Sequence, residues 1–401
     1  MKLGNLFLIF FRLMRSKYGR TGAQFERYHF KIYNIFTWHK YCKSRSHKKW
    51  SKVSLTVKIL EAHNNIIQKW DKYVLTHPYS TMYHLYGWKS VLELVFGYRA
   101  IYLAAINSDN SIEGILPSFI VRDIYQRKIL VSNPFSNFAG VCASNETAEN
   151  LLIDHIKQIA QKENLLYCEC RQLHKVACLE TIKIDFVTFY LKLNEDSDVV
   201  WLKSLKAKTR NQVRKAQNSN LNIEFSKEKV AEFYKVFASN MRDLGTPAHS
   251  AKFFQSILST FPKNTEILHA KKDNKTIAAM FLFKFKKVIS DPWASSLHEY
   301  NRYCPNNLMY WEAIKYACHN GYDYFDLGRS TINSGTYQFK KQWGAEPIPL
   351  FYQYYLNKAK AIPMVDAHHN KYHTYVNLWK KIPLLITNFI GPKLVKYLPE
   401  L

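Results

Sequence analysis

Two short segments of this chain place acidic, hydroxyl and cationic side chains where a strand must stop pairing. In Asp291-Pro292-Trp293-Ala294-Ser295-Ser296 a proline follows a β-rich run, and proline neither donates to the ladder nor sits inside a central strand. The chain opens there, so Asp291, Trp293 and Ser295 are placed to offer a cleft a proton acceptor, a stacking face and a hydroxyl. In Asp326-Leu327-Gly328-Arg329-Ser330 an apolar run passes into a glycine-containing turn that carries one acid and one guanidinium. From Gly335 to Gly344 glycines, aromatics and cations are mixed as in a ligand-facing loop, with Tyr337, Lys340 and Trp343 as its candidates. The same residue types also build ordinary turns.

A third segment, Trp201 to Asn218, holds six basic residues and no acid and reads as one helix. Lys203, Lys206, Arg210 and Arg214 share a face at three- and four-residue spacing. Arginine grips a phosphate through two hydrogen bonds of fixed geometry, which makes Arg210 and Arg214 the candidates for a phosphate-bearing ligand; a solvated surface helix would show the same row. Cys168, Cys170, His174 and Cys178 are zinc-type ligands, but one residue separates the first pair, where zinc pairs usually have two or more. Leu165 to Leu173 reads instead as a strand with packed thiols, so no metal is expected. Seven cysteines without a regular framework point to a reducing compartment and no structural disulfide.

The elements that must hold these residues form a repeat. Ile101–Ile106 and Ile267–Ala270 are strand-like runs ending at the turns Asp109-Asn110 and Asp273-Asn274. Two further β-rich runs follow each, ending in Ser132-Asn133-Pro134-Phe135 and Ser290-Asp291-Pro292-Trp293. A helical pattern at Leu151–Ile159 then corresponds to Met309–Ala317, a strand at Leu166–Cys168 to Tyr324–Asp326, and Arg171 to Arg329. Upstream, Trp88–Phe96 corresponds to Phe253–Phe261. Each copy reads helix, three antiparallel strands, helix, strand, an α/β order that stacks helices against a sheet. The polar stretch Asn194–Asp198 is the natural junction, giving repeats at 55–196 and 197–356 between a basic extension, 1–54, and a basic tail, 357–401. In the tail Ile362-Pro363, Ile382-Pro383 and Gly391-Pro392 read as breakers.

The 401 residues carry 57 Lys and Arg against 31 Asp and Glu, a formal charge of +26. At 47% hydrophobic and 22% charged residues, a disordered or collagen-like chain is excluded. The excess charge calls for anionic partners, whether phosphate-bearing molecules, nucleic acid or an anionic membrane face. Twelve basic residues and one acid fall within 1–50, among many aromatics, which suits a basic amphipathic segment on an anionic lipid surface. Leu6–Phe11 is too short for a span and lacks a cleavage site, so a cytoplasmic protein touching the inner membrane face is expected.

The segment from Asp291 to Ser296, the helix core Thr209–Ala216, Met241-Arg242-Asp243-Leu244-Gly245-Thr246-Pro247, and Phe325–Ser330 leading into Gly335–Ala345 together resemble the FemAB-type acyltransferases. The closest resemblance is to the subgroup associated with exosortase and exopolysaccharide systems, and it covers roughly residues 60 to 356. It implies two tandem GNAT-like domains of mixed α/β fold and transfer of an acyl or aminoacyl group to an amine of a peptidoglycan or exopolysaccharide precursor. No tightly bound cofactor is implied; the activated donor is aminoacyl-tRNA or acyl-CoA, and nucleic acid enters only as tRNA. The chain departs from the family in lacking a long heptad-patterned helical hairpin, and it also lacks the Arg/Gln-x-x-Gly-x-Gly/Ala loop of acetyl-CoA enzymes. Under this resemblance Asp291 orients or deprotonates the amine. Ser295, Arg329 and backbone near Gly328 and Asp326 meet an oxyanion or phosphate, and Lys340 adds charge. Arg210 and Arg214 hold phosphates, while Trp293, Tyr337 and Trp343 stack on sugar or peptide. The competing classes are a nucleic-acid-binding protein and a non-catalytic envelope-assembly factor.

Overall fold

The computed structural model describes residues 57–62, 66–362 and 370–399. The segment 1–54, with its expected lipid contact, lies outside the described residues, as does the breaker at Pro363. The first repeat begins with β1 (Lys58–Glu61), α1 (Ile67–Thr76) and α2 (Trp88–Phe96). Then come β2 (Arg99–Ile106), β3 (Ile112–Arg122), β4 (Lys128–Ser132), a short β5 (Cys142–Ala143), α3 (Glu146–Lys162), β6 (Tyr167–Gln172), β7 (Thr181–Lys183) and β8 (Phe186–Lys192). Two helices follow, α4 (Ser197–Lys203) and α5 (Ala207–Gln217), then β9 (Asn222–Phe225) and α6 (Val230–Leu244). The second repeat runs through α7 (Ala251–Thr260), β10 (Thr265–Lys272), β11 (Lys275–Phe285), β12 (Val288–Ser296), α8 (Pro305–His319) and β13 (Tyr324–Thr331). It ends with α9 (Gly335–Lys341), β14 (Glu346–Pro349) and β15 (Phe351–Leu356), before the tail helices α10 (Asn370–Lys381) and α11 (Leu384–Val395).

The repeat read from the sequence is therefore a repeat of structure: α2, β2, β3, β4, α3 and β6 recur as α7, β10, β11, β12, α8 and β13. Local chemistry sets the boundaries. Asn145 caps α3 by accepting from the Ala148 N–H, and Ser250 caps α7 by accepting from Phe253. Leu152, Ile153, Ile156 and Ala160 turn one face of α3 into the core. β11 is buried along nearly its whole length, as its unbroken apolar run requires of a central strand.

Two sheets result, in the orders β1-β2-β3-β4-β6-β15-β7 and β14-β8-β13-β12-β11-β10-β9, with β5 on the side of β3. Each repeat gives a strand to the other's sheet. β8 precedes the junction expected at 196/197 yet pairs with β13 and β14, while β15 pairs with β6 and β7 of the first sheet. The described residues belong to one unit, and an aromatic core joins the repeats: Trp88 of α2 packs against Phe261 at 5.4 Å and Phe283 of β11 at 5.8 Å. Separate cores lie under α3 and under α8.

Two local expectations are corrected, and a third, the packed thiols of Leu165–Leu173, holds. The single helix expected over Trp201–Asn218 is two, because the chain turns at Ser204–Lys206 and Lys206 N–H reaches the carbonyl of Gln342. The break expected at Gly391-Pro392 is absent, and α11 continues through Pro392. The tail therefore breaks at Ile382-Pro383, where Pro383 precedes the first turn of α11. Cys168 and Cys170 are core residues under α3, and burial pushes both thiols up.

Candidate active site

The site begins where two parallel strands part. β12 and β13 pair over Val288–Ser290 with Tyr324–Asp326. Past that point Asp291, Pro292 and Trp293 on one strand and Gly328 and Arg329 on the other line a shared cavity of about 270 Å³. On the far edge of β13 the register against β8 slips between Asp326 and Arg329, and Gly328 takes a left-handed φ of 77°. This is a bulge, the usual device for re-aiming side chains at a functional edge. A methyl placed on Gly328 would lie 3.0 Å from the Asp291 carbonyl, 3.6 Å from Asp291 Oδ1 and 3.7 Å from Lys340 Nζ. The missing side chain is what lets these groups converge.

Asp291, Asp326 and Lys340 are all buried. Asp326 accepts from the Thr188 hydroxyl and, at 2.9 Å, from the Gly328 N–H, which fixes the bulge. Lys340 donates to the carbonyls of Gly328 (3.0 Å) and Arg329 (2.9 Å), bracing the same turn from α9. The Tyr310 hydroxyl on α8 hydrogen-bonds the Asp291 carboxylate, while Asp291 Oδ1 has no hydrogen-bond partner among the described residues. Burial raises the Asp291 pKa well above the carboxylate range; Lys340 and Tyr310 pull it back, and Asp326 pushes it further up. Asp326 rises to about 6 for the same first reason. Lys340 moves down because it is desolvated, against the pull of both carboxylates.

The cavity's other walls come from α6 with its following loop and from the first repeat. Phe237 and Met241 of α6, then Thr246, Pro247 and His249, face Phe135 and Asn137. His249 sits among aromatic rings, with Phe253 at 4.6 Å and Phe135 at 4.7 Å, and burial lowers its pKa to about 3, so it is a neutral imidazole. Arg329 donates to the Tyr352 hydroxyl of β15 at 3.0 Å and lies over the Phe186 ring. Tyr352 in turn donates to the Asn137 carbonyl.

The first repeat has at the matching point a slit of only about 10 Å³, beside Arg171 and Gln172. Its parallel pair, β4 with β6, also parts early, after Val131 and Glu169. There Arg171, the counterpart of Arg329, is fully buried in a 2.7 Å ion pair with Glu169. It donates to the carbonyls of Ser136 (3.0 Å) and Pro399 (2.9 Å) and lies over the Tyr352 ring. The chain's own tail thus occupies the guanidinium that its counterpart presents at the cavity.

Of the residues singled out in the sequence, Asp291, Trp293, Gly328, Arg329 and Lys340 line the cavity, and Asp326 supports it from below. Ser295 does not line it: Ser295 is buried on β12 and accepts from Asn240 at 3.2 Å. Tyr337 meets Phe189 edge to face and packs against the core beneath α8, and Trp343 is fully buried in that core against Tyr310 and Phe339. Arg210 lies outside the cavity and caps the end of α4 through the carbonyls of Leu205 and Trp201. Arg214, also outside, lies over the Trp201 ring. The sequence reading missed His249, two residues beyond the quoted Met241–Pro247 segment, and Tyr310, whose helical spacing signalled only packing.

Two α/β repeats, each with a parting parallel pair, define a tandem GNAT-like fold. Residues 203–341, which hold Asp291, Asp326, Gly328, Arg329 and Lys340, match the family described as acetyltransferase (GNAT) domain. Among solved structures the chain is similar to FemX, at 16% identity over 75% of this chain and 98% of that one, with a TM-score of 0.60. A conserved protein of unknown function from Bacteroides thetaiotaomicron superposes with a TM-score of 0.53 at 9% identity, covering 75% and 100% of the two chains. The L-PGS from Bacillus licheniformis gives 0.50 at 13% identity over 82% and 98%. No curated protein matches the sequence.

Proposed function

We propose that this protein is an acyltransferase that moves an aminoacyl or other acyl group from an activated ester or thioester to an amine of a cell-envelope precursor. The observation that carries this reading is the buried Asp291 carboxylate, with one oxygen unpaired, at the point where β12 and β13 part. That point lies within residues 203–341, the segment that matches the acetyltransferase (GNAT) domain, which supports the reading.

An amine arrives mostly as ammonium and attacks only after losing a proton. Asp291, with its pKa raised by burial, is a better acceptor for that proton than a solvated carboxylate. The freed nitrogen attacks the acyl carbonyl, the C–N bond forms, and the C–O or C–S bond breaks as the leaving group takes up a proton. Backbone N–H groups beside the bulge at Gly328 are candidates for the developing oxyanion. Arg329, at the cavity wall, offers charge to a phosphate of donor or acceptor. The donor, aminoacyl-tRNA or acyl-CoA, and the acceptor, a muropeptide or an exopolysaccharide precursor, belong to this proposal.

The test is mass spectrometry of envelope precursors from cells with and without the protein, repeated in vitro with purified protein, each donor class and a nucleotide-linked muropeptide. A mass gain of one acyl or aminoacyl unit on an amine is expected, and Asp291→Asn should slow it about 10²–10⁴-fold with the fold intact. An unchanged rate in Asp291→Asn would remove Asp291 from the chemistry. No transfer with either donor, together with salt-sensitive binding to generic DNA, would replace the enzyme with a nucleic-acid-binding protein.

A further inference from the structure

Helix α11 is built inside out for a water-facing element. Thr387, Gly391 and Val395, spaced four apart, are its buried side, and Gly391 fits there because a side chain would meet the backbone of Ala248 at 3.1 Å. The opposite side is apolar and exposed: Leu385 is 85% and Phe389 67% open, with Ile386, Ile390 and Leu394 beside them. Leu378 of α10 adds a sixth exposed apolar side chain. A surface helix ordinarily turns such a stripe inward, and a contiguous exposed patch marks an interaction surface.

Its charge chooses the partner. Lys380 and Lys381 end α10 and Lys393 lies over the Phe389 ring, so cations border the apolar side chains. Between Asp366 and Glu400, over residues 367–399, the sequence has five lysines and no acid. Just past α11, Lys396 joins Arg99, Arg122 and Lys128 around a cleft of about 470 Å³. Apolar side chains at the centre with lysines at the rim match a bilayer interface, where apolar groups enter the acyl boundary and cations meet anionic headgroups. The extension 1–54 is itself strongly basic and would be repelled by this rim. None of the described helices is long and apolar enough to cross a membrane.

We propose that α11, with the end of α10, is a docking surface that lays this protein on an anionic lipid bilayer. The surface adjoins the reaction cavity: Gly391 packs on Ala248, and the neighbouring Pro247 and His249 line the cavity wall. Its test needs no acyl donor or acceptor, so its outcome is independent of the acyl-transfer reading.

The full chain is sedimented with vesicles of phosphatidylcholine alone or of phosphatidylcholine with phosphatidylglycerol. Binding only to the anionic vesicles, weakened by salt, is expected. Leu385→Glu with Phe389→Glu should cut the bound fraction about tenfold or more with the circular dichroism unchanged. Lys380→Gln, Lys381→Gln and Lys393→Gln together should weaken the preference for anionic lipid. Hydrogen exchange on the unaltered protein supplies a second readout: amides of 384–395 should gain protection when anionic vesicles are added. Vesicle binding that survives the double glutamate variant, or leaves 384–395 unprotected, overturns the proposal and assigns binding to another segment. A dimer broken by the double variant, without vesicle binding, overturns it in favour of a second copy of the chain.

Discussion

Asp291 and Lys340 are held in opposition by one buried site, and each sets the other's proton affinity. Asp291 must be ionised to take the amine's proton, so activity should rise with pH through its elevated pKa. Lys340 lowers that pKa, and removing the ammonium lets it climb. Lys340→Gln should therefore shift the acid limb of the kcat/KM profile to higher pH, and Tyr310→Phe should shift it the same way by removing a hydrogen bond to the carboxylate. A limb that stays in place in both variants would mean that another group controls the rate. Asp326 makes a separate prediction for stability. Its folded pKa of about 6 lies above the ordinary 3.8, so the folded state holds that proton more tightly than the unfolded chain. The resulting stabilisation is present below about pH 4 and is lost as pH rises through 6. Asp326→Asn should flatten this part of the pH dependence, by about 2 kcal/mol between pH 4 and 7, read by urea denaturation.

The bulge in β13 is the element that turns a strand edge into a cavity. Gly328→Ala would force a left-handed φ on a residue with a side chain and set its methyl 3.0 Å from the Asp291 carbonyl. A loss of about 1–3 kcal/mol in stability and a larger loss in activity are expected; a wild-type melting temperature with full activity would contradict the geometry. Proline at 292 and glycine at 328 pointed to this place but not to its form: β12 runs on through Pro292 to Ser296 against β11, and β13 through Gly328 to Thr331, so each residue marks a slip in register and not the end of a strand. The basic row was less informative. Arg210 closing the end of α4 and Arg214 lying over Trp201 have the spacing that a phosphate grip would have, since spacing fixes a helix face but not what that face meets. Trp343 was misread for a related reason: an aromatic among glycines and cations looks ligand-facing until the packing of Tyr310 and Phe339 around it is known.

At the scale of the molecule, the repeats were legible because their strand ends and helical patterns recur, and the strand exchange was not. A strand's own sequence shows that it pairs, not with which partner, and β8 and β15 pair far from their neighbours in the chain. A fragment of residues 197–356 would lack β8, which lies between β13 and β14, and would leave β15 without β6 and β7. It should be insoluble or melt without cooperativity, whereas 186–349 retains every strand of the second sheet. A cooperative transition in the shorter fragment, followed by circular dichroism, would show the exchange to be dispensable.

The exchange also constrains how the protein is made. The first sheet cannot be completed until β15 has emerged from the ribosome, by which time nearly the whole polypeptide has been synthesised. The early strands must therefore wait with a gap at β6, exposed to mispairing for as long as translation lasts. Slowing translation late in the message should lower the yield of native protein more than slowing it early.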